Sequence, residues 1–179
     1  MNLLQNIIIF SICISLLLLL SAILYNKIQN VILNINEAEK EIDETLRKKF
    51  DIITNTVELI KDEKNIDDLL NIKDEKEKTL SSFEFSRLLK EYEIRIINLK
   101  DKIKKLIKNE TYNQSIKDIE KINIKIDSQI RYFDDNILIY NNLVKKFPTN
   151  ILSKIFKNKK KQFFDNKNLE DNIEKDFKL

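Results

Sequence analysis

The residues Ile7 to Leu24, IIIFSICISLLLLLSAIL, form an unbroken apolar run with no charged side chain. As a helix rising about 1.5 Å per residue the run covers roughly 27 Å, close to the hydrocarbon thickness of a bilayer. It predicts a transmembrane helix. A core helix of a soluble protein is usually shorter and carries a polar stripe. A cleaved signal peptide needs a basic leader and small residues at the cleavage point. Met1 to Asn6 holds no Lys or Arg, and Ile23 follows Ser21-Ala22 where a second small residue is required. The run is therefore read as a retained anchor, in which Cys13 is one more apolar position.

Beyond Tyr25 the pattern changes from continuous to periodic. Ile35, Ala38, Ile42, Leu46, Phe50, Ile53, Val57 and Ile60 recur at spacings of three and four, with Glu37, Lys40, Glu44, Lys48 and Lys61 between them. That spacing places the apolar set on one face, so the anchor is expected to continue as an amphipathic helix ending between Asp62 and Asn65. Ile66, Leu69, Leu70 and Ile72 suggest a short second helix. Ser81 with Glu84 three residues later is a capping-box pattern that opens a third. Its stripe is Phe85, Leu88, Tyr92, Ile96, Leu99, Ile103 and Leu106, with Asn109 as the expected C-terminal cap. In the fourth, Ile119, Ile126, Phe133, Tyr140 and Phe147 fall seven apart, beside Ile116, Ile130, Ile137 and Val144. Such a seam suits a coiled coil with another chain or the inner face of an intramolecular bundle, and the bundle is the simpler reading because the other helices also need cover. Asn123 interrupts the seam and either fixes register or sits at its solvent edge. Pro148 ends the helix, having no amide to donate and disfavouring helical geometry at Phe147.

The elements predict an all-α chain, an N-terminal transmembrane helix continuing into an antiparallel up-and-down bundle of four helices. Residues 1–6 are a short extracytoplasmic N-terminus, 7–24 the span, 25–156 the bundle, and 157–179 a basic and then mixed-charge tail, partly disordered. Composition agrees: no Gly, a single Pro and 34% charged residues remove the strongest helix breakers. They also exclude Gly-rich phosphate loops. Lys27, Lys40, Arg47, Lys48 and Lys49 follow the span and no basic residue precedes it, so the N-terminus is expected outside the cell membrane and the bundle in the cytoplasm. A net charge of +3, from 32 basic and 29 acidic residues, gives no footprint for nucleic acid.

Candidate chemistry is sparse. The chain has no His, which excludes a His general base and a His-bearing zinc or di-metal helix site. A serine nucleophile lacks its His partner, and Asp67-Asp68 and Asp134-Asp135 read as solvated helix-surface pairs. No catalytic, cofactor or metal-binding residue is assigned. The tail is more suggestive. Ile151, Leu152, Ile155 and Phe156 make a short amphipathic turn, followed by Lys157, Lys159, Lys160 and Lys161 and then Phe163-Phe164. If the last long helix returns to the membrane, these lysines and aromatics are candidates for contact with anionic lipid headgroups.

The order of these pieces resembles the LemA family of bacterial membrane-anchored proteins. The residues that carry the likeness are Tyr25-Asn26, Ala38, Ile42-Asp43, Leu46-Arg47, Phe50-Asp51-Ile52-Ile53, Asn55 and Val57. Further along are Asn109-Glu110, Tyr112, Gln114, Ile126, Arg131, Tyr140-Asn141, Phe147-Pro148, Asn150 and Phe163-Phe164-Asp165. This chain departs from the family pattern at Thr54, where the family has Pro, at Glu39 for Trp, at Phe133-Asp134 for a first Tyr-Asn, and at Lys157-Asn158-Lys159-Lys160 for a Gly-Phe-Lys-Pro stretch. The resemblance implies one N-terminal span, an external N-terminus and an up-and-down bundle, without an established molecular function. The reading favoured is a single-pass, non-enzymatic interaction module for another membrane or envelope protein. A self-assembling envelope scaffold, a homo-oligomer on the membrane, is the alternative, and an enzyme of unrecognised type the remote one.

Overall fold

The computed structural model describes residues 3–61, 69, 80–103, 106 and 108–165. Among them every regular element is a helix: α1 (Leu3–Leu59), α2 (Ser82–Lys102), α3 (Glu110–Lys145) and the short α4 (Thr149–Ile155). The apolar run and the periodic segment after it are one uninterrupted helix of 57 residues, as expected where neither Gly nor Pro breaks the backbone ladder. It ends at Leu59, with a turn at Ile60-Lys61, slightly short of the Asp62–Asn65 boundary. The short helix expected over Ile66 to Ile72 lies outside the described residues apart from Leu69, which is buried.

The capping box at α2 forms as the sequence requires. Glu84 N donates to Ser81 Oγ at 3.3 Å, and Ser81 N donates to the Glu84 carboxylate at 3.0 Å. The Ser81 hydroxyl also donates to that carboxylate. The Ser81 backbone N–H, and then its hydroxyl, hold the Glu84 carboxyl below the usual carboxylate range. A carboxyl lowered in the folded state contributes stability above its unfolded pKa and loses it as pH falls through the folded one. Ser81→Ala is expected to cost about 1 kcal/mol. The melting-temperature gap between the natural chain and Glu84→Ala, read in detergent, should narrow as the pH drops below the carboxylate range.

The end of α2 corrects one expectation. The helix stops at Lys102, and Asn109 starts α3 instead of closing α2: its Oδ1 accepts from Tyr112 N at 3.0 Å. Asn serves both kinds of helix end, and here the chain turns first, through Leu106 N to Ile103 O and Asn109 N to Leu106 O.

The described residues fall into two compact units, one with numbers 3–37 and 133–163, the other with 38–132 and 164–165. In the second, Ile42, Leu46 and Ile53 of α1 and Ile60 in the turn after it are essentially inaccessible, as are Leu89 and Ile96 of α2 and Tyr112 and Ile119 of α3. Burying each such side chain contributes about 1.5–3 kcal/mol. The α2 stripe runs through Leu89, with Leu88 half-buried, because 85, 89, 92, 96 and 99 follow the four-three alternation of a core-facing helix more closely. Asp43 bonds Ser82 and Lys49 bonds Glu93, so α1 and α2 run parallel. Glu41 meets Gln129, whereas Lys49 meets Asn123 through Glu93, so α3 runs antiparallel to α1.

In the first unit the buried apolar residues include Ile28, Val31 and Ile35 of α1 and Phe133, Ile137 and Tyr140 of α3, and Asn34 Nδ2 donates to Asn136 Oδ1 at 3.4 Å. The seam of α3 closes at Tyr140. Phe147, placed on it by the seven-residue spacing, is 78% exposed, because α3 ends at Lys145 and the chain leaves helical phase before the cis Phe147–Pro148 bond.

The end of α4 is a Schellman motif. Lys157 N donates to Lys154 O and Asn158 N to Ser153 O, and Lys157 takes a left-handed φ of 54°. A Cβ in that region costs roughly 1–2 kcal/mol, which Gly avoids. Lys157→Gly should therefore raise stability by about 1 kcal/mol in chemical denaturation.

Candidate functional site

The sequence puts one charged residue on a stripe where an apolar one belongs. Lys49 lies three residues after Leu46 and four before Ile53, and α1 consequently carries its side chain inward, where it is 6% exposed. Glu93, next to the buried Tyr92 on α2, reaches it with Oε2 at 2.6 Å. The other carboxylate oxygen accepts from Asn123 Nδ2 at 2.8 Å. Asn123 therefore faces a neighbouring helix, which supports the register reading of the interruption in the seam. A cavity of about 210 Å³ adjoins the cluster, bordered also by Ser86, Lys90 and Asp127.

Three helices thus contribute one polar side chain each, and both Glu93 oxygens are engaged. In a low-dielectric interior a mismatched register would leave a charge unpaired, so the arrangement fixes how α1, α2 and α3 align. The signal for it was a Lys and an Asn at stripe positions. Glu93 itself carried none.

The sequence motif residues divide by role. Ile42 and Leu46 are core residues, and Asp43 accepts from the Ser82 hydroxyl at the start of α2. Arg47, Asp51 and Asn55 are exposed on the outer side of α1. Tyr25 packs against Phe156 with tilted rings whose centroids are 4.9 Å apart, and Asn26 beside it is exposed. Tyr140 is buried, and that burial pushes its phenol pKa up. Asn141 clamps the tail: its Nδ2 donates to Lys161 O and its Oδ1 accepts from Lys161 N, both at 2.9 Å. Phe147 is exposed, Pro148 leads into α4, and Asn150 is half-buried on α4.

Of the tail residues, Lys157, Lys159 and Lys160 are exposed, while Lys161 places its ammonium 5.9 Å from the Tyr140 ring centroid. Phe163 is half-buried, and Phe164 sets its ring edge-on to Phe83 at 6.0 Å. Among the described residues no cluster of His, Cys, Asp or Glu is arranged to hold a metal ion.

Compared with known families, residues 38–177 match the family model described as LemA family. The chain belongs to the LemA family. Searches of curated proteins and of solved structures gave no match. The LemA match takes in the polar cluster, the Asn141 clamp and α4, and it begins at Ala38, after Tyr25, Asn26 and the apolar run. Thr54, at the position where the LemA pattern has Pro, sits within the unbroken α1, and Lys157, where the LemA pattern has Gly, occupies the left-handed position that favours Gly.

Proposed function

We propose that this LemA-family chain is a single-pass membrane protein with its N-terminus outside, and that its cytoplasmic helices serve without catalysis as an interaction module for another membrane or envelope protein. The observation that carries the reading is α1. Along its apolar part no side chain is buried inside the protein, yet the same helix becomes part of a packed core from Ile28 onward. An apolar surface of that length left bare by the protein matches a bilayer. The basic residues that follow it support the orientation. Ile94 and Ile97 on α2 and Ile124 on α3 leave apolar surface outside the core, at 50%, 40% and 72% exposure, which suits docking.

Two measurements test this. The full chain should resist alkaline carbonate extraction and dissolve in detergent, whereas Leu17→Arg with Leu18→Arg, at about 2.5–3.5 kcal/mol per Arg at the centre of a span, should release it. A single cysteine from Lys160→Cys in a Cys13→Ser background should react with an impermeant thiol reagent only after lysis. Reaction in intact cells reverses the orientation and moves the partner outside. A photo-crosslinker at Ile124 should then capture another envelope protein; capture of a second copy would favour the scaffold.

A further inference from the structure

The short helix α4 is turned inside out. Its two small polar residues face inward, Thr149 5% and Ser153 1% exposed, and the Thr149 hydroxyl donates to the Leu143 and Lys146 carbonyls. Two of its three large apolar residues face outward, Ile151 52% and Ile155 65% exposed and one helical turn apart on one face, while Leu152 is half-buried. Phe147 before the helix is 78% exposed, and Phe156 after it 52%. A helix in contact with water places these residues the other way round. The pattern belongs to a surface whose surroundings are apolar.

The position of α4 identifies those surroundings. Phe156 lies against Tyr25, the first residue after the apolar run of α1. Tyr25 also stands at the change in α1 from bare to covered: the run before it is unburied, and Ile28 is fully enclosed. Tyrosine at the end of a span marks the headgroup level, where an amphipathic ring has one apolar and one wet side. Lys27, two residues after Tyr25, Lys154 and Lys157 on either side of Phe156, and Lys159 and Lys160 just beyond are all exposed, the complement an anionic lipid surface requires.

We propose that α4 with Phe147 and Phe156 is a second membrane contact, lying in the interface of the bilayer that α1 crosses, with Ile151 and Ile155 among the upper acyl chains and the lysines at the phosphates. The proposal rests on the transmembrane reading of α1. The occupant of the exposed apolar face is lipid, because the face is continuous through Tyr25 with the span and is edged by cations. The bulky residues fix the depth of the unit, so the contact sets how close the packed helices sit to the membrane.

The test uses the full chain in a Cys13→Ser background, reconstituted into phosphatidylcholine–phosphatidylglycerol vesicles. A fluorophore is attached at Phe147→Cys, Leu18→Cys or Ile124→Cys, each an exposed position. Lipids brominated at different acyl depths should quench Leu18 most strongly from the centre and Phe147 from the shallow positions, while Ile124 responds only to aqueous iodide. Ile151→Asn with Ile155→Asn, both surface changes that leave the core intact, should abolish the lipid quenching at Phe147 and keep it at Leu18. A Phe147 probe quenched by iodide alone, with Leu18 still quenched by lipid, overturns the proposal and leaves the span standing. A Phe147 probe shielded from both quenchers also overturns it, because a protein then covers the face. A Leu18 probe that brominated lipid does not quench overturns the reading of α1, and the proposal with it.

Discussion

Lys49→Met should destabilise the chain by roughly 3–5 kcal/mol, since removing one partner leaves the other charge buried. The side chains of Lys49 and Glu93 are only 6% and 14% exposed, so water entering from the adjoining cavity replaces the lost ammonium incompletely. Asn123 would still donate to Glu93, but a single hydrogen bond from an uncharged amide does not offset the desolvation of a carboxylate. The double variant Lys49→Met, Glu93→Leu should recover most of the loss, because a buried pair replaced by apolar groups of similar size is often neutral or better. Urea unfolding in detergent for the two singles and the double gives the coupling energy. A single-variant loss below about 1 kcal/mol would mean that the pair behaves like a surface one. The cluster would then have no claim to set the register.

Tyr112→Ala should be comparably severe, at about 3–5 kcal/mol for an aromatic side chain removed from a closed core. Tyr112 has no accessible surface, and its hydroxyl donates to the Ile96 carbonyl of α2 at 2.6 Å. Tyr112→Phe separates the two contributions. It keeps the ring volume and removes only the hydroxyl, so its expected cost is about 1–2 kcal/mol. Thermal unfolding followed by circular dichroism ranks the three chains. Equal losses for Phe and Ala would show that the hydrogen bond, not the ring, ties the start of α3 to α2.

These two positions illustrate which parts of the fold can be read from a sequence. Helices were legible because their signals are local: the apolar run, the three-four spacing from Ile35 to Ile60, and the Ser81–Glu84 pair each act within a turn or two. Asn109 was ambiguous for the same local reason, since only the point where the chain turns decides which helix it caps. Phe147 kept the seven-residue rhythm after the helix that gave the rhythm meaning had ended. The polar cluster is non-local. Lys49 looks like any other Lys in a charged helix until the neighbouring residues are phased, and its partner on another helix cannot be inferred from spacing at all. The inverted face of α4 was visible as an amphipathic turn, but which side faced inward required the folded chain.

The Asn141 clamp has a consequence for how the tail can vary. Asn141 grips the backbone N–H and C=O of Lys161 and makes no demand on its side chain in doing so. Tolerance at the two ends of the contact should therefore be lopsided. Position 141 needs a side-chain amide of one length, since Asp lacks the donor and Gln overshoots. At position 161 the clamp itself excludes only proline, whose ring removes the N–H that Asn141 receives, and other replacements lose no more than the Lys161 contact with the Tyr140 ring. A saturation library scored for folded protein would show one intolerant column and one permissive column for a single pair of hydrogen bonds. The tail can drift in composition and still be held in the same place.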